Sequence, residues 1–370
     1  WTGEEALVEK HWDAARRVLD WAREHGDRDG DGYIEYLTRS PQGPKHQGWK
    51  DSDNAVVYPD GTQVDPPIAA SEVQGYWYAA LQFMAVLSVV MGERGEARAL
   101  WGEAKALKER FNRDFWIEEE GTVAGWLDAE KRLVRSVTSN AGHCLTTGVV
   151  ADERVPALVE RLFRPDLFSG WGLRTLSSEN PSYNPLSYHL GSVWAVENAT
   201  TLFGLRRYGF DERAQELARA IFDLARLWPG GRIPECVGGY ARAELGLDGA
   251  AGPFAHPGAY PRATDTQAWN LSAFPLIVQG LLGLRPVAAL DLLVVDPVLP
   301  AWIPELELTT LRVGGATVSL RFWRDAEGAS HYDVTAQEGT LRVLRQPPLD
   351  ALDIGLFSRL GTLVKDLLPL

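Results

Sequence analysis

The feature that most constrains the fold of this chain is a series of helical segments that follow one another in pairs. In the first segment, apolar residues recur at three- and four-residue intervals, which is the period of an amphipathic helix. The predicted helices are Glu4–Glu24, Ile68–Met91, Glu96–Phe115, Ala141–Val150, Val155–Phe163, Ser187–Tyr208, Asp211–Trp228 and Thr264–Leu284. Short loops alternate with long loops rich in Trp, Gly, His and Tyr. The pattern predicts a mainly α fold, an α/α toroid in which hairpins ring a central hollow and the long loops gather at one end.

From Ala289 onward the pattern changes to short, partly alternating apolar runs separated by Gly, Asp and Pro. Such runs predict a small antiparallel β appendage. The predicted strands are Leu292–Val295, Leu306–Val313, Ala316–Trp323 and Tyr332–Ala336. We therefore expect a helical domain over residues 1–288 and a β-rich segment over 289–346. Residues 347–370 form an apolar, helix-prone tail to which the sequence assigns no position.

Composition and charge exclude several classes of function. The net charge of −13 argues against a nucleic-acid partner, because phosphates require a basic surface. We expect no apolar run to span a bilayer, and no membrane partner is predicted. The two cysteines, Cys144 and Cys236, exclude a disulfide scaffold and favour a reducing compartment, so we predict a cytoplasmic location. The histidines show no metal-ligand spacing, so no metal hydrolase and no cofactor are predicted.

The loop over residues 46–60 carries the densest group of chemically active side chains. Trp49 lies two residues before Asp51, and Asp53 follows two residues after it. Sugar rings stack on aromatic faces, and their hydroxyl groups need fixed donors and acceptors. The sequence therefore favours a sugar site here, while a solvated loop with its carboxylates in water remains the alternative.

Two further loops compete to supply a second carboxylate or its neighbours. Residues 230–236 place Glu235 after a glycine-rich turn and a proline, where the backbone is restricted. Residues 183–198 carry Tyr188, His189 and Trp194 at the start of a predicted helix. Glu235 alone could equally be a surface carboxylate, and a lone histidine is more often structural than catalytic.

An acidic turn follows the first helix, with Asp27, Asp29 and Asp31 at alternate positions. This spacing resembles the first half of a calcium loop, but Thr38 occupies the twelfth position, where a bidentate Glu would be needed. We predict a tight turn with at most a weakly held cation.

Seven short motifs occur in an order that resembles the glycogen-debranching, amylo-α-1,6-glucosidase-type family of six-hairpin glycosidases. The resemblance spans roughly residues 1 to 345. The motifs are G-W-K-D-S-D (48–53), E-V-Q-G-Y (72–76), S-N-A-G-H (139–143), S-G-W-G-L-R-T-L-S (169–177), N-P-L-S-Y-H-L-G-S-V-W (184–194), I-P-E (233–235) and T-Q-A-W (266–269). The resemblance implies an (α/α)6 barrel, an inverting mechanism and α-glucoside substrates, with α-1,6 branches of glycogen-like glucans expected first.

The resemblance also implies roles for individual residues. Asp51 matches the family's general acid and Glu235 its general base. The residues that fall in cavity-lining motifs are Trp49, Lys50, Trp171, Arg174, Tyr188, His189, Trp194 and Trp269. The residues expected to contact substrate hydroxyl groups are Asp53, Glu72 and Gln74. An inverting glycosidase separates its two carboxyl groups by roughly 6.5–9.5 Å to admit water.

The chain departs from that family at its beginning. The N-terminal β-rich domain and the first barrel helices of such proteins are not found, so we expect the ring to lack its first helices and to need an N-terminal portion as partner. Two alternatives remain: a trehalase-like or other small-α-glycoside hydrolase, and a non-catalytic glycan-binding protein.

Overall fold

Helices dominate the residues that the computed structural model describes, which are 1–242, 257–264 and 267–346. The predicted tail over residues 347–370 lies outside these ranges. The α-helices are α1 (Glu5–Trp21), α2 (Ser71–Val90), α3 (Arg94–Asp114), α4 (Asn140–Thr147), α5 (Val155–Leu162), α6 (Ala195–Arg207), α7 (Asp211–Ala225), α8 (Ala268–Leu271) and α9 (Ala273–Leu282). A π-helical turn, Ala22–Gly26, extends α1.

An inner row of helices, α2, α4, α6 and α9, is flanked by α3, α5 and α7. In α6 nearly every residue from Ala195 to Arg206 is buried, as expected of a helix with neighbours on all sides. The buried residues of α3 instead form one stripe: Ala97, Leu100, Ala104, Leu107 and Phe111. Each outer helix therefore packs one face on an inner helix, which confirms a mainly α fold built from helical hairpins.

Two predicted helices begin or break at other places. The helix predicted from Ser187 starts at Ala195, because the preceding residues form a loop that ends in extended Trp194. The helix predicted over Thr264–Leu284 is divided into α8 and α9 at Ser272. Pro275 explains this division, because its ring would clash with a helical carbonyl four residues earlier, whereas the first turn of α9 accommodates it.

Helices α1 and α2 each carry an exposed apolar stripe. On α2, Tyr76, Phe83 and Val90 are exposed and lie seven residues apart, so they share one face. The exposed large apolar residues of α1 are Leu7, Val18 and Trp21. On each of these two helices these exposed residues therefore fall on one face.

Helix α2 has the length and composition of a membrane span, with 20 residues and a mean hydropathy of 1.3. This corrects the expectation that no apolar run is long enough. A buried core helix meets the same criterion, and α2 carries buried Glu72 and Gln74, which hydrogen-bond to other segments. The lack of a membrane partner stays a prediction.

Strands occur in two parts of the described chain. Short strands in the helical part are β1 (Ala69–Ala70), β2 (Trp116–Ile117), β3 (Thr122–Val123), β4 (Trp126–Leu127) and β5 (Leu133–Val134). The later strands are β6 (Arg285–Val287), β7 (Leu292–Val295), β8 (Glu305–Val313), β9 (Ala316–Arg324), β10 (Ser330–Glu338) and β11 (Arg342–Arg345). The sheet order β8–β9–β10 is an antiparallel meander, with Leu308 opposite Leu320 and Phe322 opposite Tyr332.

The predicted β appendage is confirmed as strands, with one difference in direction. Strand β11 pairs with β7 in parallel, while β6 pairs with β7 antiparallel. A separate apolar cluster extends from Leu282 to Leu341 beneath these sheets. The boundaries at residues 288 and 346 stay predictions.

Candidate functional site

The loop that carries Asp51 is held by a buried carboxylate on the first turn of α2. Glu72 Oε1 accepts a hydrogen bond from the Trp49 backbone N–H at 3.1 Å, and Oε2 accepts one from Asn140 Nδ2 at 2.7 Å. A Cβ at Gly48 would lie 2.7 Å from Glu72 Oε1, so a larger residue there would displace this carboxylate. Glu72, predicted to accept substrate hydroxyl groups, has both oxygens bound by the protein. We interpret it as the residue that positions the loop.

Lys50, in the same loop, is also buried. Its Nζ donates to the Thr175 carbonyl and lies 5.2 Å from the Trp126 ring centroid. Burial lowers the pKa of Lys50 to about 8, although Glu197 and Glu72 favour its charged form. The expected cavity-lining role is corrected, because the ammonium group is buried and anchors the loop from beneath.

Asp51 projects from this loop with its side chain 62% exposed. Its Oδ1 lies 3.1 Å from Nε2 of the buried His189. This hydrogen bond is the main cause that lowers the pKa of Asp51, while burial lowers the pKa of His189. The pair therefore favours an ionised Asp51 beside a neutral His189. Asp53 is exposed and accepts a 3.4 Å hydrogen bond from the Lys45 backbone, so its contact with a sugar stays a prediction.

Glu235 lies in a more enclosed position, 8% exposed. Its Oε1 accepts hydrogen bonds from Tyr188 Oη at 2.7 Å and Gln267 Nε2 at 2.8 Å. Its Oε2 accepts one from the Thr264 backbone N–H at 3.3 Å. Three hydrogen bonds therefore hold both oxygens of Glu235 in place.

Backbone contacts join the Glu235 loop to the loop that carries Tyr188. Val193 and Val237 exchange hydrogen bonds of 2.9 and 3.0 Å across an isolated antiparallel bridge. A Cβ at Gly239 would lie 1.8 Å from the Gly191 carbonyl oxygen, so the two backbones meet where no other residue fits. The separation of these loops is therefore fixed by main-chain packing.

An aromatic cluster lies beside both carboxylates. The Trp49 ring contacts the rings of His189, Trp194 and Trp269 at centroid distances of 5.2, 5.0 and 5.7 Å. Trp269 is exposed, whereas Trp194 is buried. The structure thus brings together six predicted residues with Glu235, and the cluster offers aromatic faces on which a sugar ring can stack. The six are Trp49, Asp51, Tyr188, His189, Trp194 and Trp269.

Three predicted ligand residues are used inside the protein instead. Trp171 is buried beneath the Arg242 guanidinium, 4.6 Å from its ring, and so does not line the cluster around Trp49. Arg174 donates to the carbonyls of Gly239 and Pro165 at 2.6 Å each. The side-chain amide of the buried Gln74 hydrogen-bonds to the backbone of Ile34 and Ala70. The polar atoms of Arg174 and Gln74 therefore hold neighbouring segments together, while Trp171 packs against Arg242; contact of these three residues with a sugar stays a prediction.

Sequence reasoning missed two groups of residues at the site. Gln267 belongs to the quoted motif at residues 266–269, but its amide was not recognised as a donor to Glu235. His143 and Glu197 form a buried pair, with His143 Nε2 3.4 Å from a Glu197 oxygen, and the His143 ring lies 5.7 Å from that of Trp49. Their positions in the first turns of α4 and α6 are the signal that could have identified them, because Glu72 occupies the same place in α2.

The side chain of Lys131 reaches the carboxylates of the acidic turn. Two glycine N–H groups donate to Asp27 at 2.8 and 2.9 Å, which confirms the predicted tight turn. Ligand oxygens of Asp27, Asp29 and Glu35 lie within 4.8 Å of one another. Lys131 Nζ lies 3.2 Å from Asp29, 2.9 Å from Asp31 and in contact with Glu35. An ammonium group from a distant turn therefore balances these carboxylates.

Comparison with known proteins gives the following similarities. The family model for the mannosylglycerate hydrolase MGH1-like glycoside hydrolase domain matches residues 2–254. A mannosylglycerate hydrolase of Rubrobacter radiotolerans is 30% identical over 148 residues, which cover 39% of this chain and 33% of that protein. Mannosylglycerate hydrolase MGH1 of Selaginella moellendorffii is 30% identical over 95 residues, 26% of this chain and 20% of that protein. The chain therefore matches about a third or less of the length of these relatives.

Solved structures extend the similarity of fold over nearly the whole chain. A sialidase superposes with a TM-score of 0.66 at 15% identity, covering 93% of this chain and 31% of the other. A GH78 family rhamnosidase of Bacillus sp. GL1 gives a TM-score of 0.64 at 16% identity, with the same coverage. At such identities the likeness concerns the fold alone.

Proposed function

The chain belongs to the mannosylglycerate hydrolase MGH1-like glycoside hydrolase family, and from this premise we propose that it hydrolyses a small α-linked glycoside with inversion. One observation carries the proposal. Asp51 and Glu235, from loops far apart in sequence, hydrogen-bond to the adjacent residues His189 and Tyr188 beside an aromatic cluster. Two carboxylates next to a stacking surface are the equipment of a glycosidase.

Family membership corrects the glycogen-debranching identification, and α-1,6 branches are not carried forward as the substrate. The relatives are named for mannosylglycerate, so we place that compound first among the substrates to be tested. Trehalose represents the other small-α-glycoside alternative. Both would present a sugar ring to the rings of Trp49 and the exposed Trp269.

In the proposed mechanism Asp51 donates a proton to the glycosidic oxygen, and Glu235 removes one from the attacking water. Glu235 suits the base because three hydrogen bonds fix its oxygens in an enclosed position. Asp51 is ionised in the free protein, since its pKa is lowered by His189. Substrate covering the exposed Asp51 would desolvate the carboxylate and raise its pKa, so the acid form would be reached as the sugar binds.

We also propose that the described helices are part of an (α/α)6 toroid. The exposed stripes of α1 and α2 support this, because inner and outer helices of a ring have apolar neighbours on both sides. Further helices of the full-length protein would cover Tyr76 and Phe83 and would close the site near Asp51. A cytoplasmic location remains a prediction; both cysteines are free and buried.

The test is hydrolysis by the full-length protein of mannosylglycerate, trehalose, maltose and isomaltose. We expect turnover of one of the first two, with NMR detecting the β-anomer of the released sugar first. The Asp51→Asn variant should bind without turning over. The matched control is Asp325→Asn, which removes another Asp–His contact, 2.6 Å to His331, in the turn between β9 and β10. Binding without turnover by the unmodified protein would favour the non-catalytic alternative.

A further inference from the structure

One dipeptide stands between the two carboxylates of the site. Tyr188 Oη lies 2.7 Å from Glu235 Oε1, and His189 Nε2 lies 3.1 Å from Asp51 Oδ1. We propose that Tyr188 and His189 are positioning residues that fix the distance between the carboxylates, and that His189 sets the acidity of Asp51. These two residues are called the Tyr188–His189 spacer. This inference rests on the proposed hydrolase function for its kinetic consequences, but not for its geometry.

The spacer is rigid because its neighbours confine both rings and the backbone. The His189 ring stacks on Trp194 at 5.2 Å and 11°, and the Trp49 ring meets its face edge-on at 5.2 Å. Trp194 Nε1 donates to the Tyr188 carbonyl at 3.2 Å. The Tyr188 and His189 rings are themselves 4.4 Å apart. Because the two side chains are confined, they fix the positions of the groups to which they hydrogen-bond. The spacer therefore positions the carboxylates of Asp51 and Glu235.

The proton on the His189 ring can be placed by considering the groups that face it. Lys50 opposes a charged imidazole, Asp51 and Glu197 favour it, and burial is the largest influence and lowers the pKa of His189. A neutral ring carries one N–H, and a bond from Nε2–H to a carboxylate is charge-assisted and strong. Nδ1 is buried and has no hydrogen-bond partner among the described residues. We therefore assign the proton to Nε2, from which it donates to Asp51 Oδ1.

This assignment decides which oxygen of Asp51 serves as the acid. Because Oδ1 accepts from His189, the transferable proton belongs on Oδ2. The same hydrogen bond stabilises the carboxylate that is left when that proton departs to the leaving group. His189 thus favours proton donation, and it also lowers the pH above which Asp51 has lost its proton.

The consequence for pH dependence has a definite sign. A general acid must be protonated, so kcat, which reports the enzyme–substrate complex, falls as pH rises through the pKa of Asp51 in that complex. Removing the His189 donor raises that pKa, and the alkaline limb of the profile should move to higher pH. A residue that merely filled space would lower the rate without moving the limb.

The kinetic experiment compares His189→Phe, which keeps a ring without a donor, with His189→Gln, whose amide can still donate to Oδ1. In the full-length protein acting on mannosylglycerate, His189→Phe should move the alkaline limb of kcat to higher pH, and His189→Gln should return it toward the original position. Tyr188→Phe should lower kcat roughly tenfold to a hundredfold, because Glu235 loses a constraint on its position. An alkaline limb that stays in place in His189→Phe overturns the inference.

A measurement independent of activity separates this inference from the proposed function. Carbon-13 NMR of aspartate-labelled protein follows the titration of the Asp51 carboxyl, assigned by its loss in Asp51→Asn. In His189→Phe that titration should move to higher pH. The matched control, His331→Phe, should move Asp325 in the same direction and leave Asp51 unchanged, because Asp325 has its pKa lowered mainly by His331. An unchanged Asp51 titration in His189→Phe overturns the spacer assignment, whereas a shifted titration without hydrolysis of any glycoside overturns the function alone.

Discussion

The two loops that carry the candidate carboxylates are built in opposite ways. Glu235 is buried and receives hydrogen bonds from Tyr188, Gln267 and the Thr264 backbone. Asp51 is exposed and, among the residues that the structure describes, has one side-chain partner, His189. A fixed position suits the proposed base, whereas the exposed carboxyl group of the proposed acid can be covered by substrate. This difference supports the proposed roles of the two residues.

The anchoring of the loops differs as well. Main-chain hydrogen bonds between Val193 and Val237 hold the Glu235 loop, and they do not depend on side-chain identity. The Asp51 loop is held instead by side-chain hydrogen bonds, chiefly those of Glu72 and the buried Lys50. We expect substitutions and pH to disturb the acid loop more readily than the base loop.

The largest expected effect comes from neutralising each carboxylate. Asp51→Asn and Glu235→Gln keep the side-chain shape, and each should lower kcat by about 10²–10⁴-fold while sugar affinity changes little. Stopped assays with isothermal titration of the same ligand measure both quantities. If the comparison is right, the Glu235→Gln variant has the same low kcat at every pH. Unchanged turnover in Asp51→Asn would return its loop to the solvated-loop interpretation.

The second prediction concerns the stability of the protein in acid and tests the contribution of the Asp51 loop. His46 is buried at the start of that loop, 3.1 Å from Tyr36 Oη, and burial lowers its pKa to about 4 from 6.5. Because the folded value lies below the unfolded one, His46 contributes stability that is complete above pH 6.5 and is lost as pH falls toward 4. The loss should reach about 3 kcal/mol at pH 4.

Thermal unfolding between pH 7 and pH 4 measures this loss. His46→Asn, which retains an acceptor for Tyr36, should have a flatter pH dependence than the unmodified protein. The control is the exposed His25→Asn, which should follow the unmodified protein. An identical pH dependence in His46→Asn would contradict the prediction.

The third prediction compares an amide on each loop. Gln267 donates to Glu235, whereas the exposed Asn54 contacts Ser52 within its own turn on the Asp51 loop. Gln267→Ala should lower kcat roughly tenfold, since the charge-assisted bond that holds the base is lost. Asn54→Ala should leave kcat within about twofold, as surface changes usually do. Equal effects of the two substitutions would remove the contrast between the loops.

Local patterns predicted much of the fold because helices and hairpin strands depend on neighbours in sequence. The bounds of α3 and α7, and the strands β7 to β10, follow their apolar periods closely. The parallel pairing of β11 with β7 could not be predicted, because it joins segments with no shared turn. The late start of α6 escaped for a similar reason, since contacts between loops at Val193 and Val237 override the helical pattern.

At the site, the sequence identified residue types but not their depth. Motifs placed Asp51, Tyr188, His189 and Glu235 in four positions that the fold brings together. The same motifs could not distinguish Lys50, which is buried and bound to a carbonyl, from a cation that lines a cavity. Lys131, 96 positions from Glu35 in sequence, could not be foreseen from the spacing of the acidic turn. Tertiary packing, which no local pattern encodes, decides each of these cases.

The smallest expected effect comes from the aromatic surface that both loops share. Trp49 belongs to the Asp51 loop, but its ring packs on Trp194, next to the Glu235 side of the site. Trp49→Phe keeps an aromatic ring and removes stacking area, while both carboxylates and the Glu72 bond to the backbone remain. Because an aromatic pair is worth about 0.5–1.5 kcal/mol beyond burial, KM should rise roughly twofold to tenfold with kcat nearly unchanged. Trp323→Phe, in the β appendage, is the matched control and should change neither. A fall in kcat with constant KM would mean that Trp49 positions the acid rather than the sugar, and the division between an acid loop and a shared binding surface would have to be abandoned.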